Sequence, residues 1–294
     1  MPYAASGAVK LYYEEAGKGY PVVFAHEFAG DHRSWEHQMR RFSRDYRCIA
    51  FNAVGYPPSD VPEDEGLYDY RQQAENIAAV MRHLGLAKAH IVGLSMGAYS
   101  ALQFGVRHAA MASALVVAGC GSGAPREHQV RFKAESEGMA ARLEREGMER
   151  VAVTLASTPT RIPYQNKDRR GWAEFSSQLA QHSNIGSAKT LRRFQAPRPS
   201  LWDFEPEFAA LKMPVLLLLG DEDEPCIEAN VFLKRAIPTA GLVVVPNTGH
   251  LVNLEEPGAF NDAVASFLAA AERGTWPTRD PRSKSAEVFP EGKG

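Results

Sequence analysis

The run Ala89-His90-Ile91-Val92-Gly93-Leu94-Ser95-Met96-Gly97-Ala98 constrains this chain more than any other stretch. Ala89 to Leu94 is apolar enough to read as a buried strand, and a helical pattern begins at Met96 and continues to about His108. Ser95 falls on the junction, with Gly93 and Gly97 two positions either side. A turn that reverses a strand into a helix within one residue leaves no room for side chains at the flanking positions, which is what the glycines supply. Such a turn lifts the serine hydroxyl clear of the backbone and places it against the unpaired N–H groups of a helix start. This is the geometry of a nucleophile elbow, Gly-x-Ser-x-Gly. It requires a base, an acid and an oxyanion-binding loop elsewhere in the chain.

Strand and helix patterns alternate around it. Val9 to Glu15 alternates like a strand, Pro21 to His26 holds the apolar run Val22-Val23-Phe24-Ala25, and Arg47 to Phe51 is a further strand. Helices are expected over Ser34–Phe42 and Tyr70–Leu84, the second closed by Gly85, and another strand over Met111–Ala118. This rhythm means right-handed crossovers and a mostly parallel, doubly wound sheet covered on both faces. It then stops. From about Pro125 to Pro206 the chain reads as helical and charged, without a clear strand. The rhythm resumes with the strand Pro214–Leu219, a helix from about Glu228 to Ala236, the strand Leu242–Val245 and an amphipathic helix from Pro257 to Ala271. After Arg273 the sequence turns polar and proline-bearing, the pattern of an extended or disordered tail.

The polar candidates all lie just past strand ends: His26-Glu27-Phe28, Ser95, Asp221 to Asp223, and His250. In an open parallel sheet those ends share one edge, where ligand sites form. The order Ser95, then Asp223, then His250 is a nucleophile–acid–base order, and with it the chain resembles the α/β-hydrolase superfamily, specifically its single-chain, cap-bearing serine hydrolases. The resemblance runs from about Val9 to Ala271. It implies the α/β-hydrolase fold with a helical cap inserted after the sixth strand: a core from 1–122 and 208–273, a cap over 123–207, and a polar tail over 274–294. It implies that His250 takes the proton of Ser95, that Asp223 orients the imidazole, and that the N–H groups of Met96 and Phe28 bind the oxyanion. The family spacing after Gly220 selects Asp223; Asp221, Glu222 and Glu224 are expected to be solvated loop charges.

One departure stands out. Relatives follow the early histidine with glycine, and here Glu27 takes that place. A carboxylate facing a developing oxyanion opposes it. Three fates are open: Glu27 turns away and pairs with a base such as His32 or Arg33, sits protonated in the pocket, or recognises a cationic or hydroxylated substrate. The first is the favoured expectation, and Glu27 is carried as a residue that shapes substrate choice. Asn52 and Val54 also depart from the family, in a loop whose role is structural, and Trp35 fits packing.

The expected activity is hydrolysis of a small-molecule carboxylic ester, or an amide or lactone, through an acyl-enzyme. The same triad admits hydrolysis of a carbon–carbon bond in a diketone-type substrate, or a lyase or cofactor-free oxygenase reaction. A ligand-binding receptor without turnover has only Glu27 in its favour. Haloalkane and epoxide chemistry on this fold uses a carboxylate nucleophile, against which Ser95 speaks. The cap should set specificity. Trp172, Phe175 and Trp202 are candidates to line its pocket, though they serve equally as cap core. Its basic residues Arg161, Lys167, Arg169, Arg170, Arg192 and Arg193 either meet an acidic substrate or form a solvated face.

Composition narrows the rest. A net charge of −2 gives no reason for nucleic acid or an anionic membrane as partner, and no apolar stretch reaches membrane-spanning length. Cys48, Cys120 and Cys226 have no metal or redox spacing and are expected as free thiols in a reducing cytoplasm. No metal or organic cofactor is implied. The expected partner is a small-molecule substrate, and a homodimer is admitted.

Overall fold

The computed structural model describes residues 2–284. Eight strands form one sheet in the order β1-β2-β4-β3-β5-β6-β7-β8. The hairpin of β1 (Tyr3–Ser6) and β2 (Val9–Ala16) joins β4 (Tyr46–Phe51) in antiparallel fashion, and β3 (Tyr20–Ala25), β4, β5 (Ala89–Leu94), β6 (Ala112–Ala118), β7 (Val215–Gly220) and β8 (Ala240–Val245) run parallel. The four residues of β1 carry no strand signal of their own. They become a strand because the Gly7 turn folds them onto β2 and because Ser6 Oγ bonds Asn76 Oδ1 at 2.8 Å.

β5, β6 and β7 are apolar at every position but His90 and Ser113, because both faces are covered. In β3, Val22 and Phe24 enter one core with Trp35, Met39 and Phe42, while Val23 and Ala25 enter the opposite one. α1 (Glu36–Phe42) lies on the first face. α2 (Tyr70–His83) and α3 (Met96–Arg107) cover the second, with the crossovers putting each helix beside its own strands.

Between β6 and β7 the chain forms helices and no strand: α4 (Gln129–Glu146), α5 (Met148–Ala156), α6 (Ile162–Lys167), α7 (Arg169–Leu179), α8 (Asn184–Thr190) and α9 (Glu205–Ala209). Leu143, Val151, Tyr164, Phe175 and Leu179 of this segment belong to the same buried cluster as Trp35 and Phe260, so it is welded to the α1 face of the sheet. α10 (Glu224–Ala236) joins the second face, and α11 (Val252–Glu255) and α12 (Pro257–Glu272) complete the first.

Over 274–284 the chain expected as an extended or disordered tail is held against the core at two points. Trp276 meets Phe267 edge-to-face, with ring centroids 4.7 Å apart, and its indole N–H donates to Thr239 O at 2.7 Å. Arg279 N–H donates to Pro238 O at 2.8 Å. An aromatic anchor four residues past the end of α12 outweighs the polar composition around it. The rest of that expected tail, 285–294, lies outside the described residues. Among the described residues no helix is long and apolar enough to cross a membrane.

Candidate active site

β5 ends at Leu94, and Ser95 follows with φ 53 and ψ −110, a left-handed conformation that costs a non-glycine residue about 1–3 kcal/mol. One strand and the following helix hold it there: Ser95 N–H donates to Ala118 O at the end of β6 at 2.8 Å, and Tyr99 N–H of α3 donates to Ser95 O at 2.9 Å. The flanking glycines are steric necessities. A Cβ on Gly97 would stand 2.0 Å from Ala25 O, and one on Gly93 would stand 2.3 Å from Gly97 O. Met96 is the first residue of α3, so its N–H is one of the helix donors without an intrahelical acceptor.

The ends of β7 and β8 deliver the two titratable partners. Asp223 and His250 are both buried, and His250 Nδ1 lies 2.8 Å from Asp223 Oδ2. The loop carrying His250 is tied down from three sides. Thr248 N–H donates to Asp221 Oδ1 at 3.1 Å, Gly249 N–H to Glu255 Oε2 at 2.9 Å, and His250 N–H to Thr160 O at 2.8 Å. Asp221, Glu222 and Glu224 are exposed, as expected of loop charges, although Asp221 also pins Thr248. The Thr160 contact is close enough that a Cβ on Gly249 would come within 2.2 Å of that carbonyl. The helical segment therefore rests directly on the histidine loop.

The loop after β3 is set by His26. Ala53 N–H donates to its Nε2 at 3.0 Å, so the ring hydrogen sits on Nδ1 and is donated to Glu27 O at 2.7 Å. Burial lowers the His26 pKa to about 4, which keeps the ring neutral in this role. With the Glu27 carbonyl drawn back and Gly30 N–H closing a turn on it at 3.1 Å, the chain turns through Phe28. Tyr56 Oη donates to Phe28 O at 2.8 Å and fixes the next peptide.

Glu27 itself takes a partner other than the expected His32 or Arg33. Arg33 is engaged with Asp31 at 2.6 Å, and His32 with Asn52 Oδ1 at 2.8 Å. Glu27 is 1% exposed, and its Oε2 accepts from Arg161 Nη2 at 2.7 Å. Burial by itself would raise the Glu27 carboxyl, but the Arg161 guanidinium and then the nearby His250 bring it below the ordinary value. It is ionised and neutralised rather than protonated. Arg161 directly follows Thr160, so one short turn of the helical segment both accepts the His250 N–H and neutralises Glu27. Asn52 bonds the carbonyls of Tyr56 and Pro57, and Trp35 is wholly buried against Phe24, the structural roles expected of them.

The three aromatic candidates are built into packing. Trp172 donates its indole N–H to Ala156 O at 2.7 Å, and Trp202 stacks on Phe232 of α10 with centroids 4.4 Å apart. Phe175 is buried with its ring 5.9 Å from the Arg161 guanidinium, so it borders the Glu27 pair. The basic residues are mostly spoken for. Lys167 meets Glu255 at 3.1 Å and Glu256 at 2.7 Å, Arg192 pairs with Glu144, Arg193 pairs with Glu65, and Arg169 and Arg170 are exposed. The guanidinium that escaped sequence reasoning is Arg198. It has no acidic neighbour in the chain order to mark it, and only folding sets it among rings and beside the Ser122 carbonyl.

Asp223, Cys226 and His250 bring three potential metal donors within 4.8 Å of one another. Their chemistry opposes an ion there. Asp223 Oδ2 and His250 Nδ1 already engage each other, and burial raises the Cys226 thiol well above its ordinary range, away from the thiolate a metal needs.

The family profile described as the alpha/beta hydrolase family matches residues 22–263, and the chain belongs to that family. Among similar proteins, 3-oxoadipate enol-lactonase 1 of Acinetobacter baylyi is 26% identical over 257 residues, covering 85% of this chain and 89% of that one. The 2-hydroxy-6-oxo-6-(2'-aminophenyl)hexa-2,4-dienoic acid hydrolase of Metapseudomonas resinovorans is 25% identical over 279 residues, covering 91% of this chain and 90% of that one. A thermophilic esterase of Thermogutta terrifontis shares the fold with a TM-score of 0.81 and 24% identity, covering 92% of this chain and 98% of that structure.

Proposed function

We propose that the protein is a serine hydrolase that cleaves a small-molecule carboxylic ester, lactone or amide through an acyl-enzyme. The observation that carries this reading is the buried Asp223–His250 pair at 2.8 Å on the sheet edge where the strained turn presents Ser95. With its Nδ1 hydrogen held by Asp223, His250 keeps a lone pair on Nε2. That nitrogen takes the Ser95 proton as Oγ attacks the carbonyl carbon, and returns it to the departing alcohol or amine. The carbonyl π electrons pass to oxygen, where the N–H groups of Met96 and Phe28 receive the charge. Water, deprotonated by the same imidazole, then displaces Ser95 and frees the acid. No step calls for a metal or an organic cofactor.

The helical segment over 123–207 acts in this reading as a cap, with its Thr160–Arg161 turn completing the site. The relative named for a 2-hydroxy-6-oxo dienoic acid supports a second reading, hydrolysis of a carbon–carbon bond next to a ketone with the same three residues. The receptor reading loses its one support, because Arg161 neutralises the carboxylate that spoke against catalysis. Three free, buried cysteines fit a reducing, cytoplasmic setting.

A fluorophosphonate probe tests the reading. Wild type should be labelled and Ser95→Ala should not, with ester turnover falling by about 10³-fold or more in the variant. Folded wild type that takes no label and turns over neither esters, lactones nor vinylogous diketones would overturn it.

A further inference from the structure

We propose that Arg198 is a carboxylate-binding residue beside the Ser95–His250 site, so that the preferred substrate is an ester or lactone carrying a second, free carboxylate. The proposal rests on the hydrolase reading and adds the charge of the substrate to it.

Among the described residues no carboxylate lies within ion-pair distance of the Arg198 guanidinium, whereas Arg161, Lys167, Arg192 and Arg193 each have one. Its surroundings are electron-rich but neutral. The guanidinium carbon stands 4.9 Å from the Phe132 ring centroid, 5.3 Å from Tyr99 and 5.9 Å from Phe194, and Nη2 donates to Ser122 O. Rings and a carbonyl hold a cation in place without cancelling its charge. Burial pulls the Arg198 pKa down from its ordinary value, the direction expected of a desolvated cation without a counter-ion, yet an arginine stays protonated at neutral pH. An unpaired, part-desolvated charge is costly, and an arriving anion recovers that cost.

The donors left over are open to a ligand. Arg198 is half-buried, and neither its Nε nor its Nη1 has a protein acceptor or is sealed from solvent. Nη2 keeps a second hydrogen beyond the one given to Ser122 O, and with Nε or Nη1 beside it that makes two parallel N–H groups that match the two oxygens of a carboxylate.

The residue is also in the right place. Tyr99, beneath the guanidinium, donates its backbone N–H to Ser95 O. Ser122, which accepts from Arg198, has its Oγ 3.5 Å from Cys226 Sγ, and Cys226 N–H donates to Asp223 O at 2.8 Å. Arg198 thus packs on Tyr99, which bonds the serine turn, and reaches the acid's loop through Ser122 and Cys226. Ser122 and Phe132, the two of these residues that Arg198 touches, also help wall a cavity of about 450 Å³ together with Gly123 and Pro225. Its glutamates, Glu135, Glu224 and Glu228, are exposed and screened by solvent, so they do not hold the site for a cation.

The test pairs an anionic with a neutral substrate of similar length, the mono-4-nitrophenyl ester of glutaric acid and 4-nitrophenyl pentanoate. In Arg198→Met the ratio of kcat/KM for the anionic over the neutral ester should fall by about 10- to 100-fold, chiefly through KM, as expected for loss of charge-assisted hydrogen bonds. Arg198→Lys should recover part of the ratio, and Arg170→Gln, an exposed site in the same segment, should leave it unchanged. A ratio within twofold of wild type in folded Arg198→Met overturns the subsite while leaving Ser95-dependent hydrolysis standing. If the hydrolase reading itself fails, calorimetry still decides. Ser95→Ala protein should bind monomethyl glutarate at millimolar concentration more tightly than dimethyl glutarate, and the preference should vanish in Ser95→Ala/Arg198→Met and survive in part in Ser95→Ala/Arg198→Lys. No preference in Ser95→Ala overturns the proposal.

Discussion

At the scale of single residues, the buried pair of Glu27 and Arg161 sets this chain apart from the glycine-bearing pattern it otherwise resembles. Two charges taken out of water attract strongly, and each is a liability without the other. Arg161→Met should therefore cost about 3–5 kcal/mol in urea unfolding, because it strands an ionised carboxylate that is 1% exposed. Glu27→Gln/Arg161→Met should restore much of that loss, since no charge is then left buried. A double-mutant coupling near zero would show that the pair does not act as a unit. The same cycle read on activity bears on substrate choice: an unchanged substrate profile in Glu27→Gly would remove any role for this carboxylate in selection. Position 27 was legible as an anomaly, because a carboxylate cannot be ignored beside an oxyanion loop. Its partner was not, because the two are 134 residues apart and nearer bases were available in the chain order.

The loop after β3 shows what one ring decides for an element. His26 bridges Ala53 N–H and Glu27 O only while neutral, and burial holds its pKa to about 4 against about 6.5 in an unfolded chain. The native state therefore binds fewer protons than the unfolded state between those values. The stabilisation is complete above about pH 6.5 and is lost as pH falls toward about 4. From about pH 8 to about pH 5 this group alone should remove roughly 2 kcal/mol of folding stability, measured as a shift of the urea midpoint. His26→Gln should be less stable at the higher pH but show a flatter dependence; an equal slope in both proteins would assign the acid sensitivity elsewhere. Elements of this kind divide clearly in legibility. β5, β6 and β7 are apolar runs broken only by His90 and Ser113 and bounded by turn residues, so their positions and the polar residues just past them could be read directly. β1 could not, because Tyr3–Ser6 becomes a strand only through its neighbours.

For the whole molecule, the C-terminal segment over 274–284, polar in composition, is anchored to the fold through one aromatic side chain. Trp276 covers Phe267 of α12 and bonds the loop before β8, and a Cβ on Gly241 would meet its ring at 2.5 Å. Truncation after Arg273, or Trp276→Ala alone, should cost about 2–3 kcal/mol and lower Tm by several degrees, for a half-buried tryptophan with its hydrogen bond. A truncated protein with unchanged Tm would return 274–284 to the status of a tail.

The sequence by itself determined the parallel sheet, the turn that presents Ser95, and the placing of Asp223 and His250. Each follows from period, from glycine where no side chain fits, and from the rule that strand ends share an edge, all of which act over a few residues. The tertiary structure alone decided how charge is arranged around those residues. Arg161 reaches Glu27, and Arg198 has no acid beside it among the described residues, because helices inserted between β6 and β7 fold back over the sheet. Electrostatic interaction depends on distance through space and on how much water is displaced, and neither quantity is written in the order of the residues.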